Sequence, residues 1–133
     1  MEDVFAGYER RHDYLICIDS DGCAMNTMEI KHRKSLAPCM VYEWDLGEYR
    51  DAIMRRWREI SLYSMDRGIN RFEALAKILV DVNENYKRVE DLDSLLNWVK
   101  TAKELSTDSL RAEVERTGSP VLKKALDWSE LVN

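Results

Sequence analysis

A mostly α-helical chain that opens with a single β-strand is the fold class the sequence predicts. Three observations carry it. The run Leu15-Ile16-Cys17-Ile18 has no polar break, as in a strand buried on both faces, and it stops at Asp19-Ser20-Asp21-Gly22. From Met25 onward apolar residues recur at helical spacing. No second strand pattern follows. The expected architecture is therefore a helical bundle preceded by a single strand; because a lone strand cannot satisfy its own ladder, Leu15–Ile18 either pairs with a strand from elsewhere or is not a strand in this chain.

Composition agrees with a folded domain. The chain has 133 residues, 45% of them hydrophobic, enough for one domain with a real core. A net charge of −5 lacks the basic excess of a nucleic-acid footprint, so no nucleic-acid partner is expected. No apolar run approaches the roughly 18–20 residues that cross a bilayer, so no membrane partner is expected either. The N-terminal segment Met1–Tyr14 is too charged for a signal peptide, and a cytoplasmic location is expected. Cys17, Cys23 and Cys39 form neither a disulfide framework nor a zinc spacing. A nucleophilic Cys23 would need His12 or His32 as its base, and no local signature pairs them.

In chain order, Val4, Phe5 and Tyr8 fit one face of a helical turn or an extended segment equally well. Tyr14–Ile18 is the one convincing strand. Residues Glu29–Trp44 read as one helix bent at Pro38, since proline removes a donor and crowds the preceding turn. Tyr49, Ile53, Trp57 and Ile60 make an apolar stripe, predicting a helix over Glu48–Tyr63. Its other face carries Arg50, Arg55 and Arg58, for which a solvated basic face competes with a binding patch. Gly68 marks a loop before a helix over Arg71–Asn83, and a further helix spans Asp91–Leu105. Thr107 or Asp108 can cap a short helix ending near Gly118. Ser119-Pro120 then combines a serine cap with a proline at the first helical position, a strong start signal for the last helix.

The acidic strand end admits three readings. Asp19 and Asp21 are two apart, so an extended backbone projects both to one side, and Gly22 allows a tight turn. A calcium loop with Gly22 at its sixth position would place Cys17 first and Met28 twelfth, where oxygen ligands are required; that reading fails. A plain turn is common for such a tetrapeptide. The apolar run in front of it and the helix behind it favour a catalytic pair.

Ile16-Cys17-Ile18-Asp19-Ser20-Asp21-Gly22-Cys23-Ala24-Met25-Asn26-Thr27 resembles motif I of the haloacid dehalogenase superfamily. That motif is a strand followed by Asp-x-Asp-Gly-Thr/Val and then a small polar pair. Cys23 stands where Thr or Val is usual, and Asn26-Thr27 where Asp-Ser is usual. A separate segment, Gly68-Ile69-Asn70-Arg71 followed by Leu75, Ile78 and Leu79, is similar to the cap turn and helix of the β-phosphoglucomutase-like branch, with Asn70 replacing the usual Ser. His32 also falls where that branch often has a histidine.

The resemblance implies a Mg²⁺-dependent phosphohydrolase or phosphotransferase working through an aspartyl-phosphate on a small phosphorylated metabolite. Asp19 would be the nucleophile and Asp21 the general acid and base, with both at the metal. Arg71, with Arg67, would meet a distal anionic group of the substrate, intracap ion pairing being the competing reading. It further implies that residues 1–28 hold the first strand and nucleophile loop of an incomplete α/β core, and residues 29–133 a helical cap. The family's three further core motifs cannot be placed after Val132. The expected chain is thus the N-terminal part of such an enzyme, inactive alone because charge stabilisation is missing. The alternative is a non-catalytic helical interaction module that keeps motif I as a relic. An unpaired strand over 15–18 would also favour pairing with a second copy.

Overall fold

The computed structural model describes Ala6, Gly7 and residues 9–133. Val4, Phe5 and Tyr8 lie outside the described residues. Seven α-helices dominate the described residues: α1 (Met28–Lys31), α2 (Ala37–Glu43), α3 (Arg50–Tyr63), α4 (Arg71–Asn85), α5 (Leu92–Thr101), α6 (Thr107–Thr117) and α7 (Pro120–Leu131). Among the described residues no helix is long and apolar enough to cross a membrane.

The mostly helical expectation holds, and the strand does not form. Residues 14–19 make no ladder, and Tyr14, Leu15, Ile16 and Ile18 are exposed. An apolar run with no neighbouring strand has nothing to pair its backbone with. Of the ladder only an isolated bridge between Asp21 and Met25 remains among the described residues.

The bend in the first helical stretch also moves. Between α1 and α2 the segment His32–Leu36 is π-helical, and the Ala37 N–H donates to the His32 carbonyl, five residues back. Pro38 sits in the first turn of α2, so the backbone widens ahead of the ring instead of breaking at it. A 3₁₀ turn (Gly47–Tyr49) leads into α3, which begins two residues later than its apolar stripe suggests.

Three caps are chemical. Asn70 Oδ1 accepts from the Phe72 N–H, Ser106 Oγ from the Ser109 N–H and Ser119 Oγ from the Leu122 N–H. Ser106 therefore caps α6 in place of Thr107 or Asp108. Gly118, at φ +66°, closes α6 in the left-handed conformation that glycine accepts without strain. The fifth helix stops at Thr101, short of the Leu105 that its apolar pattern reaches, because Ala102 turns extended.

The core is aromatic. Trp57 of α3 lies 6.0 Å from Trp128 of α7, ring centre to ring centre. Phe72 of α4 meets Trp98 of α5 edge-on at 5.2 Å. Two indoles tie this stretch to the bundle: Trp128 Nε1 donates to the Leu36 carbonyl at 3.0 Å, and Trp57 Nε1 to His32 Nδ1 at 2.9 Å, while Trp44 Nε1 is buried with no partner among the described residues. These bonds fix the π-helical segment against α3 and α7, and so position the end of the chain that carries Asp19 and Asp21.

Candidate functional site

Asp19 and Asp21 stand on a short closed loop. The Ala24 N–H donates to the Asp19 carbonyl at 3.1 Å, the Met25 N–H to the Ser20 carbonyl at 2.8 Å, and the Gly22 N–H to the Met25 carbonyl at 2.8 Å. Gly22 has φ +74°, and a Cβ there would lie 2.8 Å from Met28 Cγ and 3.6 Å from Arg67 Nη2. Both the backbone angle and the contact with Met28 require glycine. Thr27 Oγ1 donates to Asp21 Oδ1 at 2.7 Å, and Lys31 Nζ lies 3.6 Å from Oδ2. The Thr27 hydrogen bond, with help from the Lys31 charge, holds the Asp21 carboxyl below its ordinary range, so Asp21 is ionised at neutral pH.

The facing wall comes from the turn before α4. Gly68 has φ +83°, the Ile69 N–H donates to the Asp66 carbonyl, and Asn70 both caps α4 and donates from Nδ2 to the Leu105 carbonyl at 3.0 Å. Arg71 follows directly. Its Nη2 donates to Thr107 Oγ1 and Ser129 Oγ, both at 2.8 Å, and its Nη1 to Asn133 Oδ1 at 3.0 Å. All three acceptors are neutral, so no carboxylate among the described residues cancels the guanidinium charge. Burial pushes its pKa down, the direction expected of a desolvated cation without a counter-ion.

Between these walls lies a cleft of about 430 Å³. Its charged lining is Asp19, Asp21, Asp66, Lys31 and Arg71; His32, Ser61 and Asn70 add neutral polar groups, and Met28, Leu36, Ile69 and Ala74 the apolar surface. The two segments singled out separately in the sequence thus line one cavity. Arg67 does not: it is exposed and flanks the back of the loop beside Gly22. Cys23 is exposed, and neither histidine hydrogen-bonds to it.

His32 and Ser61 add chemistry that the sequence left unassigned. His32 Nδ1 accepts from Trp57, so the neutral ring carries its proton on Nε2. Burial, reinforced by Lys31, lowers its pKa and keeps it neutral. Ser61 is 2% exposed and its Oγ has no hydrogen-bond partner among the described residues. Its position on the inner face of α3 gives no sequence signal, since a serine inside a helix usually bonds back to the previous turn.

The donor set is short of a Mg²⁺ site. No group of three or more His, Cys, Asp or Glu that could hold a metal occurs among the described residues. Three carboxylates line the cleft, but the Lys31 ammonium already sits beside Asp21 and Lys77 Nζ holds Asp66 at 2.6 Å. These residues alone do not fit the ion. No family model matches the chain, and neither the curated proteins nor the solved structures contain a match.

Proposed function

We propose that this chain carries the nucleophile loop and helical cap of a haloacid dehalogenase-like phosphohydrolase, acting on a small phosphorylated metabolite in the cytoplasm. The observation that carries the reading is the convergence of Asp19, Asp21 and the Gly68–Arg71 turn on one cleft. Two segments some fifty positions apart each resemble the family on local residues alone, and both line that cleft.

In this reading Asp19 attacks the phosphorus of the substrate, forming an acyl-phosphate while the ester oxygen leaves. Asp21 protonates the leaving oxygen and later takes a proton from the hydrolytic water. Its ionised state in this structure suits the second step; the first needs Asp21 protonated, with the Lys31 contact loosened. Arg71 presents an uncancelled charge to a distal anionic group, its fork held by Thr107 and Ser129. Asp19 and Asp21 would hold Mg²⁺ only together with ligands from outside the described residues. Three free thiols suit a reducing compartment.

The scarcity of metal ligands favours a second reading, a helical interaction module that retains the loop without turnover. The two separate in one assay. Phosphatase activity toward a small aryl phosphate with Mg²⁺ is compared between the full reading frame and its Asp19→Asn version. Loss of essentially all turnover in Asp19→Asn supports the enzyme. Equal activity in the two removes Asp19 as nucleophile, and no activity in either favours the interaction module.

A further inference from the structure

A second concavity, sharing no lining residue with the cleft, lies between the π-helical segment and the first half of α3. It measures about 800 Å³ and is lined by Arg33, Lys34, Arg50, Arg55 and Arg58, with Pro38 and Met54 as its apolar floor. Asp51 is the one acid on its wall. On α3, Arg50, Met54, Arg55 and Arg58 share a face by helical spacing. The widened π turn brings Arg33 and Lys34 opposite them, while the preceding residue, His32, faces the cleft.

The charges are poorly answered from within. Arg50 Nη1 lies 3.8 Å from an Asp51 carboxylate that is itself 93% exposed, a pair that water largely screens. Arg58 Nη2 holds Glu29 at 2.7 Å, but its Nε is buried with no acceptor among the described residues. Arg33, Lys34 and Arg55 have no ion pair or hydrogen bond among the described residues. On a chain of net charge −5, five cations face one another across a single groove. Their mutual repulsion is relieved by an anion between them.

The lining says which anion. Four of the five cations are arginines, whose planar forks grip phosphate oxygens two at a time. The wall is concave, which suits a compact ligand over a flat bilayer. A net charge of −5 lacks the overall basic excess that a long nucleic acid would need. Met54 and Pro38 offer an apolar seat for an uncharged portion. We infer that this groove is a binding site for a small polyphosphorylated anion, a site separate from the cleft that shares with it both the π-helical segment and α3.

The test is calorimetric titration of the full chain with inorganic tripolyphosphate at low salt. Saturable one-site binding is expected, weakened by about tenfold or more in the Arg33→Ala/Arg55→Ala double variant and retained in Arg116→Ala. Both altered residues are exposed, so the fold should survive. If the thermal transition of the double variant is lost, Arg55→Gln alone serves in its place, with the same direction of effect. Absence of saturable binding overturns the inference. So does binding that ignores Arg33 and Arg55 but disappears with Arg71→Ala, which would assign the anion to the cleft. Tighter binding of a single-stranded oligonucleotide or of phosphatidylserine vesicles, with the same arginine dependence, would overturn the ligand class.

Discussion

In the bundle, Trp57, Leu75 and Trp128 are fully buried; in the arm that precedes it, Tyr14, Leu15, Ile16 and Ile18 are 71–89% exposed. The two regions have comparable apolar content but different sources of order. Bundle side chains gain burial and tilted or edge-to-face aromatic contacts from four helices at once. The arm and its aspartate loop are held by turn hydrogen bonds, by Thr27 and Lys31 on Asp21, and by Gly22 seated on Met28. An apolar run acquires burial only where a partner element exists. A loop held by a few polar contacts opens at low free energy, a property suited to a site that admits substrate.

That contrast predicts a graded set of effects. Trp57→Ala removes a fully buried indole and leaves His32 Nδ1 without its donor, and should cost about 3–5 kcal/mol in urea unfolding. A loss under about 1 kcal/mol would mean that the core is not organised around this ring. Asn70→Ala removes the cap of α4 and the bond to the Leu105 carbonyl, for an expected loss of about 1–2 kcal/mol. The same variant should weaken any ligand held by Arg71, since Asn70 sets the start of that helix.

The pH dependence should come next in size. The folded pKa of His32 lies below its unfolded value, so the unfolded chain binds the extra proton first as pH falls. Stability from the neutral ring is complete above the ordinary histidine pKa of about 6.5 and is lost as pH drops through the folded pKa. His32→Gln should flatten that acid-side slope in denaturant titrations between pH 7 and pH 5, pH values chosen around that titration. An unchanged slope would place the titrating group elsewhere. Smallest of all, Leu15→Ser and Ile16→Ser should change stability by no more than about 0.5 kcal/mol, because neither side chain is buried. A larger loss, or a loss that depends on protein concentration, would show the arm packed against a second copy.

The helices were legible because their apolar stripes and caps are local. Ser119-Pro120 fixed the start of α7 and Gly118 the end of α6. The widened turn before Pro38 was not, since a proline signals disruption without saying on which side the backbone yields. Within the cleft, Asp19, Asp21 and Arg71 stood out by motif. Lys31, Ser61, Thr107 and Ser129 did not, because each matters through a partner brought near by folding. The strand failed for the complementary reason: Leu15–Ile18 has the right composition, but pairing is a property of two segments.

The juxtaposition of the aspartate loop with the Gly68–Arg71 turn is the claim on which the functional reading depends. Cys23, exposed on that loop and next to Gly22, can carry a nitroxide label in a Cys17→Ser/Cys39→Ser background. Paramagnetic broadening of backbone amide signals then reports what lies near it. The expected result is strong, reducible broadening at Arg67–Arg71 as well as at the sequence neighbours Met28–Lys31. Broadening confined to residues near Cys23 in sequence, with Arg67–Arg71 untouched, would contradict the shared cleft.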